Sequence, residues 1–108
     1  MEILVTKDFA RRVKRLSKKY KSIKSDLQLF VSSLENNPEQ GVLLANGFRK
    51  IRMSITSKSQ GKSGGARVIT LNILRDKHTN KIVLVTIYDK SEQQNITEQQ
   101  IVEAYNTL

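Results

Sequence analysis

Seven consecutive residues, Ile82-Val83-Leu84-Val85-Thr86-Ile87-Tyr88, carry no charge and show no alternation of polar with apolar positions. A run this short, and this rich in β-branched side chains, reads as a strand rather than a helix. Successive side chains of a strand point to opposite faces, so a strand apolar on both sides is covered on both sides. It therefore belongs in the middle of a sheet, and the rest of the chain has to be arranged around it.

Two segments supply neighbours. In Phe48-Arg49-Lys50-Ile51-Arg52-Met53-Ser54-Ile55-Thr56, the apolar Ile51, Met53 and Ile55 alternate with Lys50, Arg52 and Ser54. Period two makes this a half-buried strand with two cations on its open face. "ARVITLNIL", residues 66–74, reads as the next strand, although Arg67 falls in phase with the apolar Ile69, Leu71 and Ile73. Short connections, including the turn "DKHTNK", predict an antiparallel meander of these strands. "EILV", residues 2–5, is short and β-prone and reads as a first strand.

Between them the period is helical. Phe9, Val13, Leu16 and Tyr20 share one face after a capping Thr6, with Asp8 in the first turn. Ile23, Leu27, Phe30, Val31 and Leu34 repeat the pattern after Ser22, a second candidate cap, and Asn36-Asn37-Pro38 ends it. Near the end, Thr97 and Gln100 fit a capping box, and Ile96 and Ile101 fit the hydrophobic staple around it. Ile101, Tyr105 and Leu108 then share a face. The expected order is β-α-α-β-β-β-α, an α+β fold with two N-terminal helices packed on a small, mainly antiparallel sheet. The expectation is two layers, with helices covering one face. No linker or repeat interrupts residues 1–108, which read as one domain.

Charge narrows the function. Lys and Arg total 19 against 10 Asp and Glu, a formal net charge of +9. Such an excess favours a polyanionic or acidic partner. Cysteine is absent, which removes disulfides, thiolate metal sites and a thiol nucleophile. No apolar run approaches the roughly 20 residues of a membrane span, and the N-terminus lacks a signal-peptide pattern. The expected location is the cytoplasm, with no membrane partner.

The stretch Gly61-Lys62-Ser63-Gly64-Gly65 resembles a phosphate cradle, but a P-loop needs a glycine where Thr56 stands and a helix where a strand follows. The glycines fit a tight hairpin turn instead. His78, the only histidine, lies in a turn and reads as solvated surface. The carboxylates are scattered, with no spacing for a metal cage or a paired acid and base, and no metal or other cofactor is expected. What remains is cationic and hydroxylic: Lys50 and Arg52 on one strand face, Lys58 and Lys62 on the glycine loop, Arg67 opening the next strand, and Tyr88 and Lys90 closing the last. Solvated surface charge is one reading of this set and nucleic-acid binding another. RNA cleavage is a third: the 2′-hydroxyl attacks its own phosphate, cations stabilise the phosphorane, and a Tyr or Lys with a lowered pKa serves as base. The first helix adds Arg11, Arg12, Lys14, Arg15, Lys18 and Lys19, a docking face for nucleic acid or a solvated helix side.

"FARRVKRLSKKYKSIKSDLQLFVSSLENNP", "FRKIRMSI", "GKSGGARVI" and "IVLVTIYDKSEQQNI" together resemble the RelE/ParE superfamily of bacterial type II toxins, nearest its RelE/HigB-type branch. The resemblance covers nearly the whole chain and is most specific in "GKSGGARVI" and "IYDKSE". It implies a ribosome-dependent mRNA endonuclease, an mRNA interferase that needs no metal and cuts translated mRNA in the ribosomal A site. It also implies a cognate antitoxin, often with a helix-turn-helix domain, through which alone the pair would contact operator DNA. By the resemblance, Lys50, Arg52, Arg67 and Lys90 match the family's catalytic and phosphate-binding cations. Lys58, Lys62, Arg49 and the helix cations Arg11, Arg12, Lys14, Arg15, Lys18 and Lys19 would bind RNA. Two positions depart from the pattern. Ser91 stands where an arginine is common, and no tyrosine lies near Asn95 or Ile96, which leaves Tyr88 or Lys90 to move protons. The superfamily also holds ParE-type gyrase inhibitors, so a non-catalytic toxin or a plain RNA-binding module is the alternative.

Overall fold

A computed structural model of the chain describes residues 1–58, 64–74 and 80–108, with Leu74 described by its backbone alone. β1 (Glu2–Val5) leads into α1 (Lys7–Lys19) and α2 (Ile23–Asn36). Four strands follow, β2 (Val42–Leu43), β3 (Phe48–Met53), β4 (Ala66–Leu74) and β5 (Asn80–Asp89), and then α3 (Glu98–Tyr105). Among the described residues the strands form one sheet in the order β1-β5-β4-β3-β2. β3, β4 and β5 are the expected antiparallel meander, and β1 adds to β5 in parallel. The fold is α+β, with two N-terminal helices ahead of a mainly antiparallel sheet, as the sequence predicts.

β5 is the strand buried on both faces: Ile82 through Asp89 are all buried. On one face Ile82, Leu84 and Ile87 meet Phe9 and Leu16 of α1 and Ile23, Phe30 and Leu34 of α2, together with Ile51, Met53, Ala66 and Val68 of the neighbouring strands. On the other face Val83 and Val85 pack with Phe48, Ile69, Ile101 and Ala104. This second cluster corrects the two-layer expectation. α3 crosses to the face opposite α1 and α2, because a strand apolar on both sides needs cover on both. The edge-on contact of Tyr105 with Phe48, ring centroids 5.9 Å apart, ties α3 to the Phe48 end of β3 on that face. Of the face-sharing residues predicted in the tail, Leu108 is largely exposed.

Local signals explain the helix ends. The Thr6 hydroxyl accepts the Phe9 N–H at 2.9 Å and donates to the Val85 carbonyl at 2.6 Å, so one side chain caps α1 and ties it to β5. That carbonyl belongs to a bulge: Ile69 pairs with Thr86 but Thr70 pairs with Leu84, leaving Val85 as the extra residue. The capping box of α3 is present, Thr97 and Gln100 each bonding the other's backbone N–H. Ser22 occupies the N-cap position of α2 but makes no capping bond; its hydroxyl donates to Asp26 at 2.7 Å instead. β2 is an additional strand that sequence periodicity does not show, since two residues carry no period. It pairs Val42 with Lys50 and Leu43 with Arg49. No helix among the described residues is long and apolar enough to cross a membrane.

Candidate functional site

α3 covers only part of its face, and the uncovered part carries the predicted cations. In β3, Phe48 points into the α3 cluster, so Lys50 and Arg52 stand on the same face by the pleat. In β4, Arg67 shares a face with Ile69, which explains why it breaks the apolar phase of "ARVITLNIL". Ile69 lies under α3, while Arg67 lies beyond it at the open end. The register then aligns three side chains across three adjacent strands: Arg52 pairs with Arg67, and Arg67 with Tyr88.

Lys50, Arg52, Arg67 and Lys90 line a cleft of about 430 Å³ together with Gln40, Gly41, Val42 and Ile51. No carboxylate is among the described residues that line it, so four cations converge on one space. Like charges set directly opposite on paired strands repel, and an anion entering the cleft relieves that repulsion. Arg67 is only 5% exposed, and its guanidinium also donates to the Ala66 carbonyl at 3.2 Å. Its fork is thus pre-set in the cleft, whereas Arg52 is exposed. The wall formed by Gly41 needs glycine: φ is +86°, and a Cβ there would lie 2.5 Å from the Lys50 carbonyl oxygen and 2.7 Å from Ile51 Cγ1.

Tyr88 ends this row but is not among the residues that line the cleft. The residue is 2% exposed, and its hydroxyl is buried with no hydrogen-bond partner among the described residues. Burial pushes its pKa above the usual tyrosine value, against a smaller lowering by the Arg67 charge. The expectation of a Tyr88 base with a lowered pKa is therefore corrected: desolvation outweighs the neighbouring cation.

Lys58 is also corrected. Its ammonium does not face the cleft but bonds Asp89 at 2.7 Å and Ser91 at 3.0 Å behind the sheet, with the Lys58 side chain 8% and the Asp89 side chain 0% exposed. Tyr20 donates to the same carboxylate at 2.6 Å. Burial alone would raise the Asp89 pKa, but the hydrogen bonds from Lys58, Tyr20 and Ser91 outweigh it and hold the carboxyl well below the usual carboxylate range. Arg49 alternates to the face of Ile51 and Met53 and donates to the Glu39 carbonyl at 2.7 Å, away from the cleft. Lys62 and His78 lie outside the described residues.

The α1 cations divide. Arg11 and Arg12 bond Asp8 at 2.9 and 3.0 Å, Arg15 bonds Glu92 at 2.9 Å, and Lys19 approaches Glu92 and Asp89 at 3.8 and 3.9 Å. Asp8 lies in the helix itself, while Asp89 ends β5 and Glu92 follows it, so much of this face is neutralised. Lys14 and Lys18 remain exposed.

Sequence reasoning missed Asp89, Tyr20, Gln40 and Gly41. Asp89 stands in plain view in "IYDKSE", but its partners lie 31 and 69 residues away and only the fold brings them. A second pocket, about 210 Å³ between α2 and β3, shares Arg52 and Gln40 with the cleft. Its one acid, Asp26, is already saturated by the Thr56 hydroxyl and amide and by Ser22.

The whole chain, residues 1–108, matches the family model of the RelE toxin of the RelE / RelB toxin-antitoxin system. Toxins of such systems are paired with an antitoxin. The α+β fold agrees with the match, and this chain belongs to the RelE family as the toxin of a type II toxin–antitoxin system.

Proposed function

We propose that the cleft holds the scissile phosphate of a message on the ribosome, and that the chain is a ribosome-dependent endoribonuclease that cuts mRNA in the A site. The observation that carries this reading is the convergence of Lys50, Arg52, Arg67 and Lys90 around one cleft on the sheet. RelE family membership supports the reaction class.

The chemistry follows from the charges. The 2′ oxygen bonds to phosphorus, and the bond from phosphorus to the 5′ oxygen breaks. The products carry a 2′,3′-cyclic phosphate and a 5′-hydroxyl. The phosphorane passes through extra negative charge, which Arg67, with Lys50 or Arg52, stabilises in a space shielded by the strand walls. Arg67 presents two N–H groups in a plane, suited to two phosphate oxygens. With Tyr88 buried and protonated, proton movement falls to Lys90, at the cleft edge. Binding to the antitoxin, and through it to operator DNA, belongs to the same reading.

The test is induced expression with mapping of mRNA 5′ ends, beside primer extension on purified programmed ribosomes. New 5′-hydroxyl ends at A-site codons are expected with the natural chain and not with Arg67→Ala. Unchanged cutting by Arg67→Ala would sink the assignment of the cleft. Intact mRNA with inhibited gyrase supercoiling would replace the reading with a gyrase-inhibiting one.

A further inference from the structure

Lys50, Arg52 and Arg67 lie within the ladder of the sheet, whereas Lys90 lies one residue past its end, where its amide bonds the Gly65 carbonyl. β5 ends at Asp89, so Lys90 projects into the cleft from the first residue past the strand. Three cations share that cleft and repel its ammonium. A backbone bond at the frayed end of a ladder is a weak restraint, so contacts beyond the strand pairing bear on where the Lys90 backbone is held.

We propose that Tyr20, Lys58 and Asp89 form a brace behind the sheet that fixes Lys90 in the cleft, making Asp89 and Lys58 positioning residues for the cleavage reaction. This rests on the reading of the cleft given above. Adjacent residues at a strand end point to opposite faces. Asp89 accordingly faces the helices, on the side of Ile87, while Lys90 reaches the cleft. The Asp89 carboxylate accepts the Lys58 ammonium at 2.7 Å, the Tyr20 hydroxyl at 2.6 Å, and the Ser91 amide and hydroxyl at 3.0 and 2.8 Å. The Asp89 carbonyl accepts the amides of Glu92 and Gln93, both at 3.0 Å, which turns the chain just after Lys90. The Lys90 amide donates to the Gly65 carbonyl at 3.0 Å. Lys90 is therefore gripped on both sides, by residues that never enter the cleft.

The choice of an ion pair is itself informative. A buried pair gains little stability over an apolar contact of similar volume, because both charges lose their water. It does fix geometry: the carboxylate has one arrangement that satisfies donors from α1, from the turn after β3 and from the turn after β5. The brace thus joins three separate segments at the point where Lys90 leaves the sheet.

The test uses the full chain with Lys58→Met/Asp89→Asn, which removes the pair without stranding either charge. The same change is made in a Lys90→Ala background. Two quantities are read: amide hydrogen exchange at residue 90, and single-turnover cleavage on saturating programmed ribosomes. Faster exchange is expected, with cleavage about tenfold slower and ribosome affinity unchanged, as for a misplaced catalytic group. In the Lys90→Ala background the added slowing should be less than about twofold, because the two changes act through one group. Tyr20→Phe, which deletes a single bond, provides the comparison if the double variant does not fold. Unchanged exchange overturns the brace, and so do equal losses of cleavage in both backgrounds. If the natural chain leaves mRNA intact, the reading of the cleft fails, and exchange still decides whether the brace holds residue 90.

Discussion

Arg52 and Arg67 are direct partners across the β3–β4 pair, two guanidinium side chains on the same face of an antiparallel ladder. Arg67 is in turn the direct partner of Tyr88 on β5. A row of this kind costs stability through like-charge repulsion, and no carboxylate is among the described residues that line the cleft containing it. The arrangement suits an anion, which would offset that repulsion.

That has a direct consequence for stability. Inorganic phosphate should raise the Tm of the chain, because a ligand that binds only the folded state stabilises it by mass action. The rise should be smaller for Arg67→Ala, measured by thermal unfolding at matched ionic strength. Equal rises for both proteins would mean that phosphate acts elsewhere on this basic surface.

Replacement of Arg67 should separate charge from geometry. Loss of one preorganised donor to a transition-state oxyanion costs on the order of 10²–10³ in rate, which is the expected effect of Arg67→Ala on single-turnover cleavage. Arg67→Lys should recover part of it, since the charge remains while the planar fork is lost. A lysine variant as active as the natural chain would show that a point charge suffices at this position.

The elements that carried clear periods were legible in the sequence, and so was the row of cations. Lys50 and Arg52 alternate with apolar residues, and the misfit of Arg67 with Ile69 already marked a face that changes from buried to open. Three things were not legible. β2 is too short to carry a period. The side on which α3 lies depends on the length and path of the chain after β5, although the apolar Val83 and Val85 required some cover there. The roles of Lys58 and Tyr88 turned on burial, which spacing does not report: one ammonium was drawn behind the sheet by Asp89, and one phenol was buried beside Arg67.

Tyr88→Phe should leave cleavage within about threefold and the fold intact or slightly more stable, since a buried hydroxyl with no partner costs about 1–3 kcal/mol. The pH dependence gives a second check. Burial raises the folded-state pKa of Tyr88, so its contribution to stability is complete below the unfolded value of about 10. It is lost as pH rises through the folded value. Alkaline unfolding should therefore be less steep in Tyr88→Phe, and tyrosinate absorbance should lose its latest-titrating component. A large loss of cleavage instead would return Tyr88 to the chemistry.

Gly65 is where the glycine-rich stretch meets the site. A Cβ there would run into the Met53 carbonyl oxygen and come within 3.0 Å of the Ile55 amide nitrogen, both backbone atoms with little room to yield. Its carbonyl also receives the Lys90 amide. Gly65→Ala should destabilise by about 1–3 kcal/mol, as overpacking does, and should slow cleavage by displacing Lys90. Urea unfolding and single-turnover rates measure the two effects, and a variant of natural stability would show that the β3 backbone relaxes freely.

The buried carboxylate of Asp89 should leave its mark on acid unfolding. Its pKa is lowered in the folded chain because the bonds from Lys58, Tyr20 and Ser91 outweigh burial, whereas in the unfolded chain an aspartate titrates at about 3.9. The sign follows from linkage: the contribution is complete above the unfolded value and is lost as pH falls toward the folded one. Asp89→Asn removes the charge at every pH and strands the Lys58 ammonium, a loss of about 3–5 kcal/mol for a broken buried pair. The gap between the natural chain and Asp89→Asn should hold through the neutral range and begin to narrow only as pH falls below the unfolded value of about 3.9. Urea unfolding at about pH 7, 5 and 3 reads that gap. A gap that closes already near pH 5 would mean that the carboxylate is not held in the ionised form by its buried partners.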